Sequence, residues 1–327
     1  MKKIVYLVLV LVLAFSLVAC GGGAKEEEGG LVKIGIVNLH PSESGYRAAN
    51  VADMDAAFNE ANGYDVQKAN YNTLNEQIDA AQQFITSGVD YLLIAAQDKS
   101  GWNDVLKAAQ DAGTRVFLFD RMIDCDESLY EAAVVSDMEN QGKLAVQWLK
   151  EQNLEEYNII HIQGAMGSDA QIGRTDPLQA EIDAGNMTLV RRGSGGGDWS
   201  PDEAKKIVEA AIAAGEKFNI IYAENDGMAE GAMKALDEAG ITHGVNGDVI
   251  IMGFDCNKFA LRYLLDGSWN FDGQCSPFQA SVIAGFIEKL ESGQELGLAD
   301  KVVINEETYF EAGKITQEDI DKYGLGQ

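Results

Sequence analysis

The 327-residue chain is poor in basic residues: 25 Lys and Arg stand against 52 Asp and Glu, for a formal net charge of −27. Binding to nucleic-acid phosphates needs basic surface, so this balance argues against a nucleic-acid partner. An acidic exterior is usually a solvated surface, and it says nothing specific about a ligand.

Cysteine is also scarce, with four residues and no C-x-x-C spacing. If Cys20 is set apart, an odd number remains, which excludes a disulfide scaffold and a zinc site built on cysteine pairs. Cys256 and Cys275 leave two alternatives open, a disulfide between successive strands and free buried thiols. We expect the thiols.

Catalytic and metal-binding motifs are absent from the sequence. The three histidines (His40, His161 and His243) are too dispersed for an H-E-x-x-H zinc pair. There is no G-x-S-x-G elbow and no D-x-[DN]-x-[DN]-G calcium loop, and no pair of carboxylates is singled out for acid–base work. We therefore expect a protein that is not an enzyme and that uses no metal or cofactor.

The first thirty residues indicate secretion. Two lysines precede an apolar run that ends in Leu17-Val18-Ala19-Cys20, too short for a membrane-spanning helix. This segment resembles the lipobox of bacterial lipoproteins, which implies a cleaved signal (residues 1–19) and an acylated Cys20. Residues 20–30 would then be a lipidated cysteine with a flexible, solvated tether. The alternative is an ordinary signal with an incidental cysteine.

After residue 30, short apolar runs rich in β-branched residues alternate with segments of helical periodicity. The alternation predicts an α/β fold with two doubly wound parallel-sheet lobes. The predicted strands are 33–39, 64–71, 91–96, 115–120, 132–136, 158–163, 187–191, 219–224, 248–255, 269–275 and 301–309.

Reversals of this pattern near Ser136, Pro277 and Lys301 predict three crossovers between the lobes. The first lobe would comprise residues 31–137 and 277–300, and the second residues 138–276 and 301–327. The three crossing strands would act as a hinge that absorbs the backbone rotation of closure.

Polar residues cluster where strands are predicted to end. A loop after the first strand offers Glu43, Ser44, Tyr46 and Arg47, and ligands of such sheets bind outside the carboxyl ends of the strands. This loop has the chemistry to hold a small polyhydroxylated molecule.

Three later strands end in the same way. Asp120 and Arg121 follow one strand, Asn225 follows another, and Asp255 follows a third. Each residue by itself is more simply a helix cap. Together, with an arginine beside the first, they predict a binding site.

Four segments carry a family resemblance: SESGYRAA (42–49), SGW (100–102), FLFDRMID (117–124) and IYAENDGM (221–228). They resemble the type I periplasmic sugar-binding proteins, the solute receptors of ABC importers, and within them the galactofuranose-binding branch. The Asp-Arg and Asn-Asp pairs are also found in ribose-binding relatives. The resemblance covers nearly all of the chain after the signal.

The resemblance implies a monosaccharide ligand and a role for each candidate residue. Carboxylates would accept hydrogen bonds, guanidinium groups would donate them, Asn225 would do both, and Tyr46 and Trp199 would lie against the sugar ring. The implied ligand-binding residues are Glu43, Ser44, Tyr46, Arg47, Asp120, Arg121, Arg174, Trp199, Asn225, Asp255 and, as a weaker candidate, Gln274.

The chain departs from the family near Arg174, which is followed by Thr175-Asp176-Pro177. Asp176 as an N-cap with Pro177 at the first helical position predicts a helix that begins there. Arg174 would then lie in the preceding loop.

These features predict a monomeric, lipid-anchored binding protein on the extracytoplasmic face of the cell membrane, which delivers a monosaccharide to an ABC permease and its ATPase. A sugar or autoinducer-2 receptor for a chemotaxis or two-component sensor is the alternative on the same fold. A LacI-type repressor core would need an N-terminal helix-turn-helix, where this chain has the signal segment.

Overall fold

The computed structural model describes residues 30–194, 199–305 and 307–326, which form twelve β-strands and ten α-helices. The predicted signal, Cys20 and residues 21–29 of the predicted tether lie outside these ranges. Within them, no helix has both the length and the apolar character needed to cross a membrane.

The strands are β1 (Val32–Asn38), β2 (Tyr64–Asn70), β3 (Tyr91–Ile94), β4 (Arg115–Asp120), β5 (Ala132–Val135), β6 (Asn158–Gln163), β7 (Thr188–Ser194), β8 (Ile220–Ala223), β9 (Ile250–Phe254), β10 (Phe271–Gly273), β11 (Val302–Ile304) and β12 (Tyr309–Glu311).

The helices are α1 (Gly45–Ala57), α2 (Leu74–Ser87), α3 (Asn103–Ala112), α4 (Met138–Glu151), α5 (Asp169–Asp183), α6 (Pro201–Ala213), α7 (Asp226–Ala239), α8 (Lys258–Asp266), α9 (Ala280–Glu291) and α10 (Gln317–Tyr323). Side chains that follow strand ends cap several of them. Ser44 caps α1 and Asn225 caps α7, and each accepts a backbone N–H that the helix leaves unpaired. Gly88 and Gly113 end α2 and α3 at φ 78°, a left-handed conformation that glycine adopts without steric cost.

Two separate sheets confirm the predicted α/β fold with two lobes. The first sheet has the order β11-β5-β4-β3-β1-β2, and all its neighbouring strands are parallel. The second has the order β12-β10-β9-β8-β6-β7 and is parallel except where β12 pairs antiparallel with β10. Each sheet has an apolar cluster on both faces. Because both faces are covered, the strands read as continuous apolar runs.

The predicted boundary between the lobes at residue 300 is wrong by a few residues. Val302–Ile304 pairs with β5 in the first sheet, whereas Tyr309–Glu311 pairs with β10 in the second. The segment interpreted as one strand over residues 301–309 is therefore two strands with a crossover between them. Polar residues at this crossover, Asn305 and Glu307, bond to the other connections instead of continuing a ladder.

The predicted start of the fifth helix is also wrong. The helix begins at Asp169 after the N-cap Ser168, whose Oγ accepts the N–H of Gln171 at 3.2 Å, and Pro177 lies inside it. Proline cannot bond the carbonyl four residues earlier, here that of Gly173. That carbonyl faces Gly142 of α4, where a Cβ would lie only 2.5 Å from it. Arg174 is consequently a helical residue.

One half-buried carboxylate joins the three connections between the lobes. Glu307 Oε1 accepts from the Ser136 hydroxyl at 2.6 Å and from the Ser276 N–H at 2.8 Å, and its Oε2 accepts from the Gln141 amide at 2.6 Å. Ser136, Ser276 and Glu307 belong to different crossovers. Glu307 therefore holds the crossovers beside one another.

We expect Glu307→Ala to lower the free energy of unfolding by about 2–4 kcal/mol, since three donors lose a charged acceptor. Urea unfolding of the full chain measures this change. Glu295→Ala, at an exposed position, is the control and should change stability by less than about 0.5 kcal/mol. Equal unfolding midpoints for Glu307→Ala and the wild type would contradict the role of Glu307 in holding the crossovers together.

Candidate ligand-binding site

The two lobes line a narrow cavity at the carboxyl ends of their strands. The lining residues are Glu43, Ser44, Tyr46, Asp120 and Arg121 from the first lobe, Met138, Ala170, Arg174, Trp199, Asn225 and Asp255 from the second, and Cys275 from a crossover.

Nine of the eleven candidate residues from the sequence line this cavity. Arg47 and Gln274 do not. Met138, Ala170 and Cys275 were missed, and their only sequence signal is their place just after a strand or within the first turn of a helix.

Asp120 is the centre of the first-lobe side of the cavity. It is fully buried and accepts hydrogen bonds from the Tyr46 hydroxyl at 2.7 Å, from Arg121 Nε at 3.1 Å and from Arg47 Nη2. Burial raises the pKa of Asp120, but the charges of Arg47 and Arg121 outweigh burial and lower it to about 2. Asp120 is thus a fixed carboxylate at the cavity wall.

Arg47 lies behind Asp120 and outside the cavity. Its Nε donates to Glu43 at 3.2 Å, its Nη1 donates to Asn38 and Asn50 at 3.0 Å each, and its Nη2 pairs with Asp120. The guanidinium is fully engaged within the first lobe. Arg47 therefore holds two carboxylates of the cavity in place, and it is not positioned to donate to a ligand as the resemblance implied.

Arg174 and Asp255 form the corresponding pair in the second lobe. Arg174 Nη2 donates to Asp255 Oδ1 at 3.0 Å, its Nε donates to Gln141 at 3.0 Å, and its Nη1 donates to the Glu224 carbonyl. Burial raises the pKa of Asp255 to about 6, against the lowering effect of Arg174.

Two buried donors at the cavity wall have no hydrogen-bond partner within the described ranges: Arg121 Nη1 and the indole Nε1 of Trp199. A buried polar group without a partner costs free energy, and most such groups in native proteins are paired. These N–H groups, one from each lobe, are available to acceptor atoms of a ligand.

Asn225 is both a helix cap and a cavity residue. Its Oδ1 accepts the N–H of Met228 at 2.8 Å, so the amide presents mainly its N–H₂ donors to a ligand. Ser44 likewise caps α1, by accepting the Arg47 N–H at 3.1 Å, and lines the cavity. Both residues therefore cap a helix and line the cavity.

Gln274 belongs to a crossover and not to the site. Its N–H donates to the Thr308 carbonyl at 2.8 Å, and its Oε1 accepts the Thr308 N–H at 3.2 Å. The next residue, Cys275, faces the cavity, and burial raises the pKa of its thiol to about 12. Successive side chains of an extended segment point in opposite directions, so one of the two had to face away. Cys256 and Cys275 are free buried thiols, as expected.

Backbone strain is concentrated at this cavity. Asp120, Trp199 and Asp255 have φ values of 70°, 54° and 107°, in a region that residues with a side chain seldom occupy. Such conformations persist where the surrounding structure holds them, and they cluster at functional sites.

The lobes also contact each other directly. Lys99 Nζ of the first lobe lies 2.7 Å from Asp169 Oδ1 at the start of α5, and the Met122 N–H donates to Asp169 Oδ2 at 3.2 Å. The Lys99 N–H donates to the Gly167 carbonyl at 3.1 Å. The structure is therefore a closed arrangement of the two lobes.

The charges around the cavity balance. Three carboxylates (Glu43, Asp120, Asp255) stand against three guanidinium groups (Arg47, Arg121, Arg174), and each carboxylate pairs with at least one arginine. Such a site offers strong donors and acceptors without net charge. It suits a neutral molecule rich in hydroxyl groups better than an ion.

Comparison with known proteins agrees with this geometry. Residues 34–294 match the family model of the periplasmic binding protein domain, and the chain belongs to this family. It is similar to the galactofuranose-binding protein YtfQ of Escherichia coli (strain K12), with 34% identity over 278 residues that cover 82% of this chain and 85% of the relative.

Two solved structures are similar over nearly the whole described chain. One is a galactofuranose binding protein, with a TM-score of 0.80, 31% identity, and coverage of 89% of this chain and 98% of the other. The other is the periplasmic binding protein component of the arabinose ABC transporter from Shewanella sp. ANA-3, bound to α- and β-L-arabinofuranose. It has a TM-score of 0.78, 27% identity, and coverage of 89% and 93%.

We expect Asp255 to titrate near pH 6 in the folded protein. Since the folded state then binds more protons than the unfolded state between about pH 4 and pH 6, the free energy of unfolding falls as pH rises through this interval, by at most about 1.4 kcal/mol per pH unit. Asp255→Asn removes this contribution. Urea unfolding of the ligand-free wild type and variant from pH 4 to pH 8 measures the difference.

Asp79→Asn, at an exposed aspartate, is the control and should keep the wild-type slope. Parallel pH profiles for the wild type and Asp255→Asn would show that Asp255 has an ordinary pKa.

Proposed function

We propose that this protein binds a monosaccharide between its two lobes and delivers it to an ABC transporter permease. The observation that supports this most directly is the charge-balanced cavity between the lobes, where each lobe has an N–H donor without a partner among the described residues. A sugar supplies both the acceptors that these donors lack and hydroxyl donors for the carboxylates.

Seven of the cavity residues have a proposed hydrogen-bonding role. Asp120, Asp255 and Glu43 accept hydrogen bonds from hydroxyl groups, whereas Arg121, Arg174, Asn225 and the Trp199 indole donate to ring and hydroxyl oxygens. Hydrogen bonds to charged groups contribute about 1.5–3 kcal/mol each, so a few of them support a micromolar Kd, about −8 kcal/mol.

The ligand is proposed to stabilise the closed arrangement. It contacts both lobes at once, so it binds this arrangement more tightly than an open one, and an equilibrium shifts by that differential affinity. The crossovers joined by Glu307 would be the hinge.

Furanose sugars are the first candidates for the ligand. This proposal is supported by the similarity to a galactofuranose-binding protein and to an arabinofuranose-bound structure. Tyr46 and Trp199 would lie against the C–H groups of the sugar ring.

The cellular setting is proposed from the N-terminal sequence and the family. A monomer held on the extracytoplasmic face of the membrane by lipid on Cys20 would present the closed, sugar-bound form to the permease, which works with its ATPase. Several acyl chains on one cysteine would anchor it firmly, because each buried CH₂ contributes about 0.8 kcal/mol.

A receptor for a sugar or autoinducer-2, acting on a chemotaxis or two-component sensor, is the second candidate. The binding cavity would serve either role, since the two roles differ in the docking partner. Neighbouring genes for a permease and an ATPase favour import, and a neighbouring histidine kinase by itself favours sensing.

We expect the full chain to bind at least one of galactofuranose, L-arabinose, D-ribose, D-xylose and D-fructose with micromolar affinity in calorimetry, with a matching rise in melting temperature. Trp199→Phe keeps a ring but removes the indole N–H. It should weaken binding by about 2- to 12-fold, the cost of one hydrogen bond of about 0.5–1.5 kcal/mol.

Trp148→Phe is the matched control, because the Trp148 indole donates to Glu311 at 2.8 Å outside the cavity. It should lower stability and leave sugar affinity unchanged. Failure of every sugar to bind the wild type would refute the proposed function, and equal affinities for Trp199→Phe and the wild type would remove the indole from the site.

We expect Cys20→Ala to release the protein from the membrane fraction, because the variant lacks the thiol that carries the lipid. Fractionation of expressing cells with detection of the chain measures this. Cys125→Ala is the control and should stay in the membrane fraction. Continued membrane association of Cys20→Ala would count against lipidation.

A further inference from the structure

The turn that carries Asp255 into the cavity has an unusual backbone. Asp255 and the next residue, Cys256, have φ values of 107° and 62°. Two consecutive residues with side chains in this region form a costly conformation, which persists only where neighbouring groups hold it. The groups that hold this turn therefore decide where the Asp255 carboxylate lies.

Two fully buried carboxyl groups hold the turn. Asp226, at the start of α7, accepts the Asn257 N–H at 2.7 Å and the Asn257 amide at 3.0 Å, both through Oδ2. Asp272, on β10, accepts the Cys256 N–H at 3.3 Å through Oδ1. The backbone after Asp255 is thus bound by one oxygen from each carboxyl group.

The other two oxygens, Asp226 Oδ1 and Asp272 Oδ2, have no donor within residues 30–194, 199–305 and 307–326. The two carboxyl groups accept the N–H groups of consecutive residues, Cys256 and Asn257, so they lie close together, and ionised carboxylates only accept. A single proton on Asp272 Oδ2, donated to Asp226 Oδ1, would give both of these oxygens a partner. No Lys, Arg or His of these ranges forms an ion pair with either residue.

We propose that Asp226 and Asp272 share one proton and act as positioning residues, which aim Asp255 at the ligand and Asn257 at the first lobe. The role in placing Asp255 rests on the proposed function, in which Asp255 contacts the sugar. The role in placing Asn257 rests on its close approach to the first lobe. At Gly45, at the start of α1, a Cβ would lie only 2.0 Å from Asn257 Oδ1. Asp226 holds the Asn257 amide so that its oxygen faces this glycine across the cleft.

If Asp226 and Asp272 share a proton, sugar binding should weaken at alkaline pH, where that proton is lost. Burial and the charges of neighbouring carboxylates raise the pKa of Asp226 and of Asp272. The ionisable groups that face the pair are Asp255, Cys256 and Arg174. Burial also raises the pKa of the Cys256 thiol well above its ordinary value. Loss of the shared proton leaves two facing carboxylates, which repel and release the turn.

The test compares the wild type with Asp272→Asn, whose amide donates to Asp226 without a titratable proton. Calorimetry with L-arabinose and D-galactose from pH 6.5 to pH 10 gives Kd for each protein. Above the pKa of the pair, wild-type Kd should rise about tenfold per pH unit, whereas Kd of Asp272→Asn should stay level. Asp53→Asn, at a half-buried carboxyl that accepts the Ala280 N–H in the first lobe, is the matched control and should follow the wild type.

Two ligand-free measurements separate this inference from the proposed function. The infrared spectrum of the wild type at pH 7 should show the C=O band of a protonated carboxylic acid, which the wild type gives whether or not the variant folds. The urea midpoint of the wild type should fall relative to that of Asp272→Asn as pH rises from 5 to 9. Three results would each overturn the shared proton: a spectrum without that band, a wild-type Kd that does not change with pH, or an equal rise of Kd at alkaline pH in Asp272→Asn. Failure of the wild type to bind any sugar overturns the proposed function, and the infrared band and the midpoints then decide the pairing by themselves.

Discussion

The pairing of opposite charges inside a closed cleft is the constraint on which the rest of this structure depends. An isolated buried charge is very costly, and it is tolerated only with a partner and further hydrogen bonds. Arg47 with Asp120 and Arg174 with Asp255 meet this requirement in the two lobes. Because the partners are 73 and 81 residues apart in sequence, each pair also joins separate elements and holds strained backbone at the cavity wall.

The two parallel sheets bring these groups together. The carboxyl ends of parallel strands meet at one edge, so residues that follow β1 and β4 face residues that follow β8 and β9 across the cleft. The crossovers bonded to Glu307 keep the two edges facing each other. The result is a cavity whose polar atoms come from many elements, none of which forms a binding site by itself.

Departures from the sequence predictions have local physical causes. Arg174 is helical because Ser168 provides an earlier cap, and Gly142 of α4 permits the close approach of the helix that contains Pro177. Cys275 faces the cavity in place of Gln274 because an extended segment alternates its side chains, and Gln274 pairs with Thr308. Arg47 is turned away from the ligand space because Asn38 and Asn50 take its remaining donors.

The sequence by itself determined the two-lobed α/β fold, most element positions and nine residues of the cavity, since these follow from apolar periodicity, strand-end chemistry and family motifs. Only the tertiary structure decided which donors are bonded: Arg121 Nη1 and Trp199 Nε1 have no partner within the described residues, whereas Arg47 bonds through Nε, Nη1 and Nη2. The tertiary structure also brings Asp226 and Asp272 to the same turn, the one that follows Asp255. These hydrogen bonds depend on distances between residues that are remote in the chain. Local sequence patterns do not determine those distances.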